Sequence, residues 1–78
     1  MLEPQILAII IRKHRKIAGL SQNALAEIAG VGKTVVFDIE KAKESIQLNT
    51  MRKILQALNI KVQLISPLME QIINNEKS

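Results

Sequence analysis

The chain has 78 residues, with 11 Lys and Arg against 7 Asp and Glu, one histidine, one Phe and no Cys, Trp or Tyr. A chain of this length forms one domain with a small core, and the absence of cysteine excludes disulfides and cysteine-ligated zinc. With a single histidine as well, we expect no metal centre and no cofactor. The hydrophobic content of 47% is too high for a disordered chain, so we expect a compact domain with an aliphatic core.

The first eleven residues are apolar, but no basic segment precedes them and no small-residue cleavage site follows them, which argues against a signal peptide. Arg12 and Lys13 interrupt this apolar run well before the roughly 18 to 20 residues that a membrane span needs. We therefore expect a cytoplasmic protein without a membrane partner. The net charge of +4 favours a polyanionic partner, because phosphates attract a basic domain.

Three short helices are predicted in the first half of the chain. Residues 4–18 form the first, which Gly19 ends, with an apolar face of Leu7, Ile10, Ile11, His14 and Ala18. The second begins behind the N-cap Ser21, ends at Gly30 and buries Leu25, Ala26 and Ile28. The third covers residues 33–41 with Val36 and Ile39 inward. About three residues, including a glycine, separate the last two helices, which is the helix-turn-helix spacing.

A fourth helix is predicted over residues 50–58, with Asn49 as its N-cap and Asn59 as its C-terminal cap. Its apolar stripe consists of Met51, Ile54, Leu55 and Leu58. The polar loop before it, residues 42–48, is expected to fold Ile46 and Leu48 back onto the core.

The pattern changes at residues 60–65, where Ile60, Val62 and Leu64 alternate with Lys61 and Gln63, which is typical of a β-strand. No second strand is predicted, so we expect two copies of this segment to pair in a homodimer that buries Val62 and Leu64. The alternatives are a strand docked on its own domain and an extended tail. After Ser66-Pro67, a turn or two of helix is predicted before the chain frays at Asn74-Asn75.

Several groups at fixed offsets together resemble the phage-repressor-like (XRE-type) helix-turn-helix family over about residues 7–60. These groups are residues 12–15, 19–22, 25–26, 30–31, 39–40 and 50–58. Within the family, residues 30–58 followed by a short strand are most similar to the HipB-like antitoxins, which repress their own toxin–antitoxin operons. The resemblance implies an all-α, four-to-five-helix lambda-repressor-like domain over residues 1–59, with the helix-turn-helix at about 21–41. A dimerisation strand at 60–66 and a tail at 67–78 complete the chain.

The resemblance also implies roles for three polar residues. Arg15 and Glu40 correspond to a pair that forms a salt bridge between the first and third helices, so Glu40 is expected to be architectural. Gln22 matches a position that contacts a phosphate or a base and braces the recognition helix.

The third helix is the expected recognition helix, with Lys33, Thr34, Phe37 and Asp38 facing outward and Val35 at the rim. Lys33 suits guanine or a phosphate, whereas Val35 and Phe37 suit thymine methyl groups. Phe37 has a core position as its alternative. Asp38 suits either a cytosine amino group or a pair with a neighbour such as Lys41.

Phosphate contacts are expected at both ends of the recognition helix and on the fourth helix. The candidates are Lys41, Lys43 and the backbone amide near Thr50, with Arg52 and Lys53 as further ones. Arg12, Lys13 and Lys16 are expected to cover only the outside of the first helix.

These expectations define a repressor of double-stranded DNA that binds a pseudo-palindromic operator as a homodimer in the prokaryotic cytoplasm, at the nucleoid. As a HipBA-like antitoxin, it would also restrain a kinase-like toxin. The alternatives are a stand-alone regulator without a toxin and a protein-interaction module with a vestigial DNA-binding face. An enzyme is not expected, because His14 lies in a basic segment with no nucleophile or carboxylate at a suitable helical offset.

Overall fold

The computed structural model describes the backbone of residues 3–77 and the side chains of residues 3–73. Five helices follow one another in this range: α1 (Pro4–Ile17), α2 (Gln22–Ala29), α3 (Lys33–Glu40), α4 (Leu48–Ala57) and α5 (Met69–Lys77). α2 packs against α3 and α4, and α1 packs against α3. The predicted all-α class is therefore confirmed. Within the described range, each helix is too short or too polar to cross a bilayer.

The core consists of aliphatic side chains from the first four helices. Its fully buried members are Ile11, Leu25, Val36, Ile39 and Ile54. Val36 and Ile39 take the inward face of α3, as predicted, so the opposite face of this helix is turned to solvent. In α2 and in α3, the residues that are buried in the core therefore determine which side chains face solvent.

The helix-turn-helix connection has the predicted caps. Ser21 Oγ accepts a hydrogen bond of 3.0 Å from the Ala24 amide at the start of α2. α2 ends at Gly30, whose φ of 72° lies in the left-handed region that glycine adopts without a steric penalty. The Val31 amide then donates to the Ala26 carbonyl at 3.0 Å. After this sharp turn, α3 begins two residues later, at Lys33.

Four predicted details of the helices are wrong. Ile28 is exposed, because the buried face of α2 follows Leu25, Ala26 and Ala29, and Ile28 lies outside it. His14 and Ala18 are exposed as well. The buried part of α1 ends at Ile11, and the next residue along the helix that is even partly buried is Arg15. α4 begins at Leu48 behind Gln47, not behind Asn49, and Leu48 is 75% exposed. Ile46 packs against the core in its place.

The predicted strand does not appear within residues 3–77. Residues 61–66 are non-helical and exposed, and the side chains of Val62 and Leu64 are 50% and 69% exposed. A strand is completed by hydrogen bonds to a neighbouring strand, which the described part of one chain does not supply. α5 continues through Asn74 and Asn75, beyond the turn or two that was predicted.

The first four helices are each followed by a residue in the left-handed conformation, and these residues are not equally suited to it. After α3, Ala42 has a φ of 63°, and the Lys43 amide donates to the Asp38 carbonyl at 3.1 Å. After α4, Asn59 has a φ of 59° and the Ile60 amide donates to the Leu55 carbonyl at 2.8 Å, which confirms Asn59 as a C-terminal cap. Glycine and asparagine tolerate the left-handed conformation, whereas the Cβ atom of alanine comes too close to the following carbonyl oxygen.

We therefore expect Ala42→Gly to raise the free energy of unfolding by about 0.5–1 kcal/mol. The relieved left-handed penalty is roughly 1–2 kcal/mol, and the greater freedom of glycine in the unfolded chain offsets part of it. Urea denaturation followed by circular dichroism measures the change. Asn59→Gly is the matched control, with an expected gain of at most a few tenths of a kcal/mol. Equal gains at both positions would contradict the assignment of strain to Ala42.

Candidate nucleic-acid interface

A partly buried ion pair joins the end of α1 to the end of α3. Arg15 donates from Nε to Glu40 Oε2 at 2.7 Å and from Nη2 to Glu40 Oε1 at 3.0 Å. Arg15 also donates from Nη1 to the Leu20 carbonyl at 2.9 Å, so the loop between α1 and α2 is held as well. The two side chains are only 11% and 6% exposed. The structure thus places the pair where the resemblance implies it.

Gln22, the first residue of α2, joins this pair. Its Nε2 donates to Glu40 Oε1 at 3.2 Å. A carboxylate only accepts hydrogen bonds, so the amide group must turn its nitrogen to Glu40 and keep its carbonyl oxygen for another partner. The side chain is therefore braced against α3 in one orientation, with one donor hydrogen and one acceptor oxygen left over.

The ion pair is charged over the ordinary pH range. Burial acts to raise the pKa of Glu40, but the hydrogen bonds from Arg15 and Gln22, with the charges of Arg15 and Arg12, outweigh it and hold this pKa below its ordinary value of 4.5. The hydrogen bond to Glu40 likewise raises the pKa of Arg15. Glu40 is therefore a fixed anion and a neutralising partner, and it has no free proton to exchange near neutral pH.

The outward face of α3 carries a mixed set of groups. Lys33 and Thr34 are exposed, and Val35 is half-buried at the rim. Phe37 is 48% exposed, so the ring lies on the surface and not in the core. The Lys41 Nζ lies 5.2 Å from the centroid of the Phe37 ring, within the range of a cation–π contact. The aromatic ring and the ammonium group thus stabilise each other's position on this face.

Asp38 pairs with Lys43 and not with Lys41, the neighbour suggested by the sequence. Its Oδ2 lies 3.6 Å from Lys43 Nζ, and Lys41 instead covers Phe37. Both side chains of the Asp38–Lys43 pair remain accessible. Asp38 is therefore half-buried at the edge of the outward face, with its charge offset by a residue from the following turn.

The free backbone amides at the start of α4, which are predicted to bind a phosphate, lie earlier in the chain than expected. Because the helix starts at Leu48, the Met51 amide already bonds to the Gln47 carbonyl, and the free amides belong to residues 48–50. Thr50 is half-buried in this first turn. Lys43 and Lys41 lie between this helix start and α3 along the chain.

Arg12 lies beside the outward face of α3, although the sequence pattern assigned it to the outside of α1. It lines a pocket together with Arg15, Gln22, Phe37, Glu40 and Lys41. The position of Arg12 could have been predicted from its spacing to Arg15 in the sequence. Arg12 precedes Arg15 by three residues, which places both side chains on one face of the helix.

Comparison with known proteins defines the class to which this arrangement belongs. Residues 11–65 match the family model described as helix-turn-helix. The chain therefore belongs to the XRE-type helix-turn-helix family, and it is a transcriptional regulator with a DNA-binding fold.

Several known proteins and solved structures are similar to this chain, among them the following four. Control protein C.SmaI of Serratia marcescens is 38% identical over 58 residues, which cover 74% of this chain and 69% of the relative. An uncharacterized HTH-type transcriptional regulator, y4mF of Sinorhizobium fredii, is 31% identical over 64 residues, or 82% and 84% of the two chains. Solved structures described as an MDT protein and as a HipA-HipB-O2-O3 complex each contain a chain that superposes with a TM-score of 0.76 at 27% identity. Each match covers 86% of this chain and 94% of the other.

Proposed function

We propose that this protein is a repressor that binds a pseudo-palindromic DNA operator as a homodimer, through the outward face of α3. The observation that carries the proposal is the division of α3 into two faces. Val36 and Ile39 are buried, and Lys33, Thr34 and Phe37 are exposed. An α-helix with its side chains is about 10–12 Å in diameter, so α3 can enter a major groove that is about 12 Å wide.

The outward face of α3 offers both hydrogen-bonding groups and apolar groups to the edges of bases. Lys33 can donate to guanine O6 or N7, and Thr34 can donate or accept at either base pair. Val35 and Phe37 offer apolar surface to the methyl group of thymine. Gln22, held in one orientation by Glu40, adds one donor and one acceptor beside the groove. The face therefore combines few hydrogen-bonding groups with methyl-sized apolar contacts.

The homodimer is proposed on the exposed segment after α4. Val62 and Leu64 remain half or more exposed in the single chain, although their alternating positions favour one buried face. Pairing this segment with a second copy would cover both side chains and supply the hydrogen bonds of a strand pair. A two-fold axis would then place two α3 helices on half-sites one helical turn apart, or a multiple of it.

The antitoxin role is the finer part of the proposal, and the likeness to a chain of a HipA-HipB-O2-O3 complex supports it. In this role the protein acts at the cytoplasmic nucleoid and also restrains a kinase-like toxin. Leu68, Ile72 and Ile73 expose apolar surface on and before α5, which is one candidate for the toxin contact. Purification of the chain at its native level from its source cell tests this role. A kinase-like subunit should co-purify in a fixed ratio, and repression should change when it is removed.

A stand-alone regulator is the second candidate, because the two relatives are named as a control protein and as a transcriptional regulator. This candidate predicts that the chain purifies without a stoichiometric partner and represses its operator at full strength alone. A protein-interaction module with a vestigial DNA-binding face remains the third reading, and it predicts no operator footprint.

Phe37 provides a direct test of methyl readout. Replacing thymine by uracil in the operator removes only a methyl group, so binding should weaken about fourfold at each position that Phe37 contacts, from roughly 0.8 kcal/mol for each buried methyl-sized group. With Phe37→Ala, the same uracil substitution should have no effect, and Phe37→Leu should retain part of it. Fluorescence anisotropy with matched duplexes measures the affinities. Equal uracil effects in the wild type and Phe37→Ala would remove Phe37 from the base contacts.

A further inference from the structure

A pocket of about 270 Å³ lies beside the recognition helix, where the side chains of α1, the start of α2 and the end of α3 meet. Its lining has three cationic groups, on Arg12, Arg15 and Lys41, and one carboxylate, on Glu40. Arg15 and Glu40 neutralise each other through two hydrogen bonds. The remaining charge of the lining is therefore that of Arg12 and Lys41, a net of two positive charges.

These two cations keep their charge available. Among residues 3–73, the ion pairs join Arg15 to Glu40 and Lys43 to Asp38, and neither includes Arg12 or Lys41. Lys41 contacts the Phe37 ring, which also lines the pocket, and this contact does not use the hydrogen-bond donors of the ammonium group. Gln22 contributes one further N–H beyond the one that it gives to Glu40. The lining thus offers several N–H donors that have no protein acceptor, as an anion site requires.

We propose that this pocket, which we call the Arg12–Lys41 seat, binds one phosphodiester of the DNA backbone, and that Arg12 is a DNA-contacting residue. The inference rests on the proposed function and adds to it a residue of α1. The planar guanidinium of Arg12 can donate two hydrogen bonds to one phosphate, while Lys41 acts as a point charge.

A backbone phosphate suits the seat better than a free anion because of where the seat lies. Phe37 is at once a wall of the seat and part of the outward face of α3. A duplex that takes α3 into its major groove therefore brings one strand of its backbone past the seat. Contacts to phosphates fix the register of a protein on DNA, so the seat would set which base pairs Lys33, Thr34 and Phe37 meet.

The test compares Arg12→Ala with Lys13→Ala on a duplex that the wild-type chain selects from a random pool. Both variants lose one charge from exposed residues of α1, but Lys13 does not line the seat. For Arg12→Ala, the slope of log affinity against log salt should become shallower by about 0.9 for each subunit, or about 1.8 for a dimer. Lys13→Ala should leave the slope unchanged. Arg12→Gln repeats the test with a longer side chain, and circular dichroism establishes that each variant is folded.

A second arm locates the phosphate. Neutral methylphosphonate groups are placed at one backbone position at a time in the selected duplex. One position in each half-site should weaken wild-type binding about tenfold and Arg12→Ala binding by a smaller factor, because a charged hydrogen bond contributes roughly 1.5–3 kcal/mol and the variant keeps only Lys41 and Gln22 at that phosphate. The same loss in both proteins at every position would overturn the seat.

A third arm separates the backbone from a free ion. Inorganic phosphate is titrated into the unbound protein at constant ionic strength while the amide resonances are followed by NMR. The proposal predicts no saturable shift in the millimolar range at residues 12, 22 and 41, and saturation there would overturn the assignment to DNA. Failure of the wild-type chain to select any duplex would contradict the proposed function and the seat together. Selection with equal slopes for wild type and Arg12→Ala would contradict the seat alone.

Discussion

Replacing Glu40 with alanine should lower the free energy of unfolding by about 3 kcal/mol. The substitution leaves the Arg15 guanidinium, which is only 11% exposed, without its carboxylate. Removal of one partner from a fully buried pair typically costs about 3–5 kcal/mol, and the lower end of this range applies to a pair that is partly buried. A domain of this size has a total stability of roughly 4–12 kcal/mol, so the expected loss is about a quarter or more of the total. Urea denaturation followed by circular dichroism at pH 7 measures the change.

The control is Asp38→Ala, which removes the other ion pair of the described chain. Asp38 and Lys43 are 3.6 Å apart and their side chains are 34% and 53% exposed, so solvent screens their interaction. The expected loss is under about 0.5 kcal/mol. Similar losses in Glu40→Ala and Asp38→Ala would show that burial does not strengthen the first pair, and would contradict its role in joining α1 to α3.

The same pair predicts how stability depends on pH. Since folding lowers the pKa of Glu40 below 4.5, the unfolded chain binds a proton at a higher pH than the folded chain does. The stabilisation is therefore fully present above about pH 4.5 and is lost as the pH falls through the lower folded pKa. Wild-type stability should fall more steeply than that of Glu40→Ala between pH 5 and pH 3, roughly. Parallel pH profiles would contradict the assignment.

The second large effect is expected from Val62→Asp/Leu64→Asp, which should weaken operator binding about 100-fold or more. In a homodimer, the first bound α3 makes the binding of the second intramolecular, and such linkage typically raises affinity by about 10²–10⁴-fold. Two carboxylates on the proposed paired face repel their copies in the partner chain and prevent this linkage. Sedimentation equilibrium should show a monomer, and a gel-shift titration gives the affinity.

The matched control is Gln63→Asp/Ile65→Asp, which adds the same charge to the same segment on the opposite face. Ile65 is 82% exposed, and the alternation places it away from Val62 and Leu64. This control should remain dimeric and lose at most the small affinity that two added negative charges cost. If both double variants lose dimerisation equally, the alternating face does not form the interface. If neither loses it, the dimer forms elsewhere.

The sequence predicts the helices well where local chemistry decides. Ser21 and Gly30 fix both ends of α2, and the spacing of Val36 and Ile39 fixes the inward face of α3. Phe37 could not be placed from the pattern alone, because one aromatic residue fits either a core or a surface. Its exposure follows from the core being filled by aliphatic residues of four helices.

The remaining differences depend on how the helices cross. Ile28 and Leu48 are apolar and suitably spaced for burial, but the directions of α2 and α4 turn them to solvent. Asp38 pairs with Lys43 because the left-handed Ala42 turns the chain back, so that the Lys43 amide meets the Asp38 carbonyl. Arg12 lines a pocket with Phe37 and Lys41 because α1 packs on α3. The spacing of Arg12 and Arg15 places both on one face of α1, but it does not show that this face meets α3.

The most direct measurement of the central claim is a nuclease footprint of the chain on the DNA upstream of its own gene, at a stated salt concentration. The wild type should protect a pseudo-palindrome with half-sites about one helical turn apart, or a multiple of it. Lys33→Ala and Thr34→Ala should lose this protection while their circular dichroism spectra remain those of the folded protein. Protection that survives both substitutions, or no protection by the wild type, would contradict DNA readout by α3.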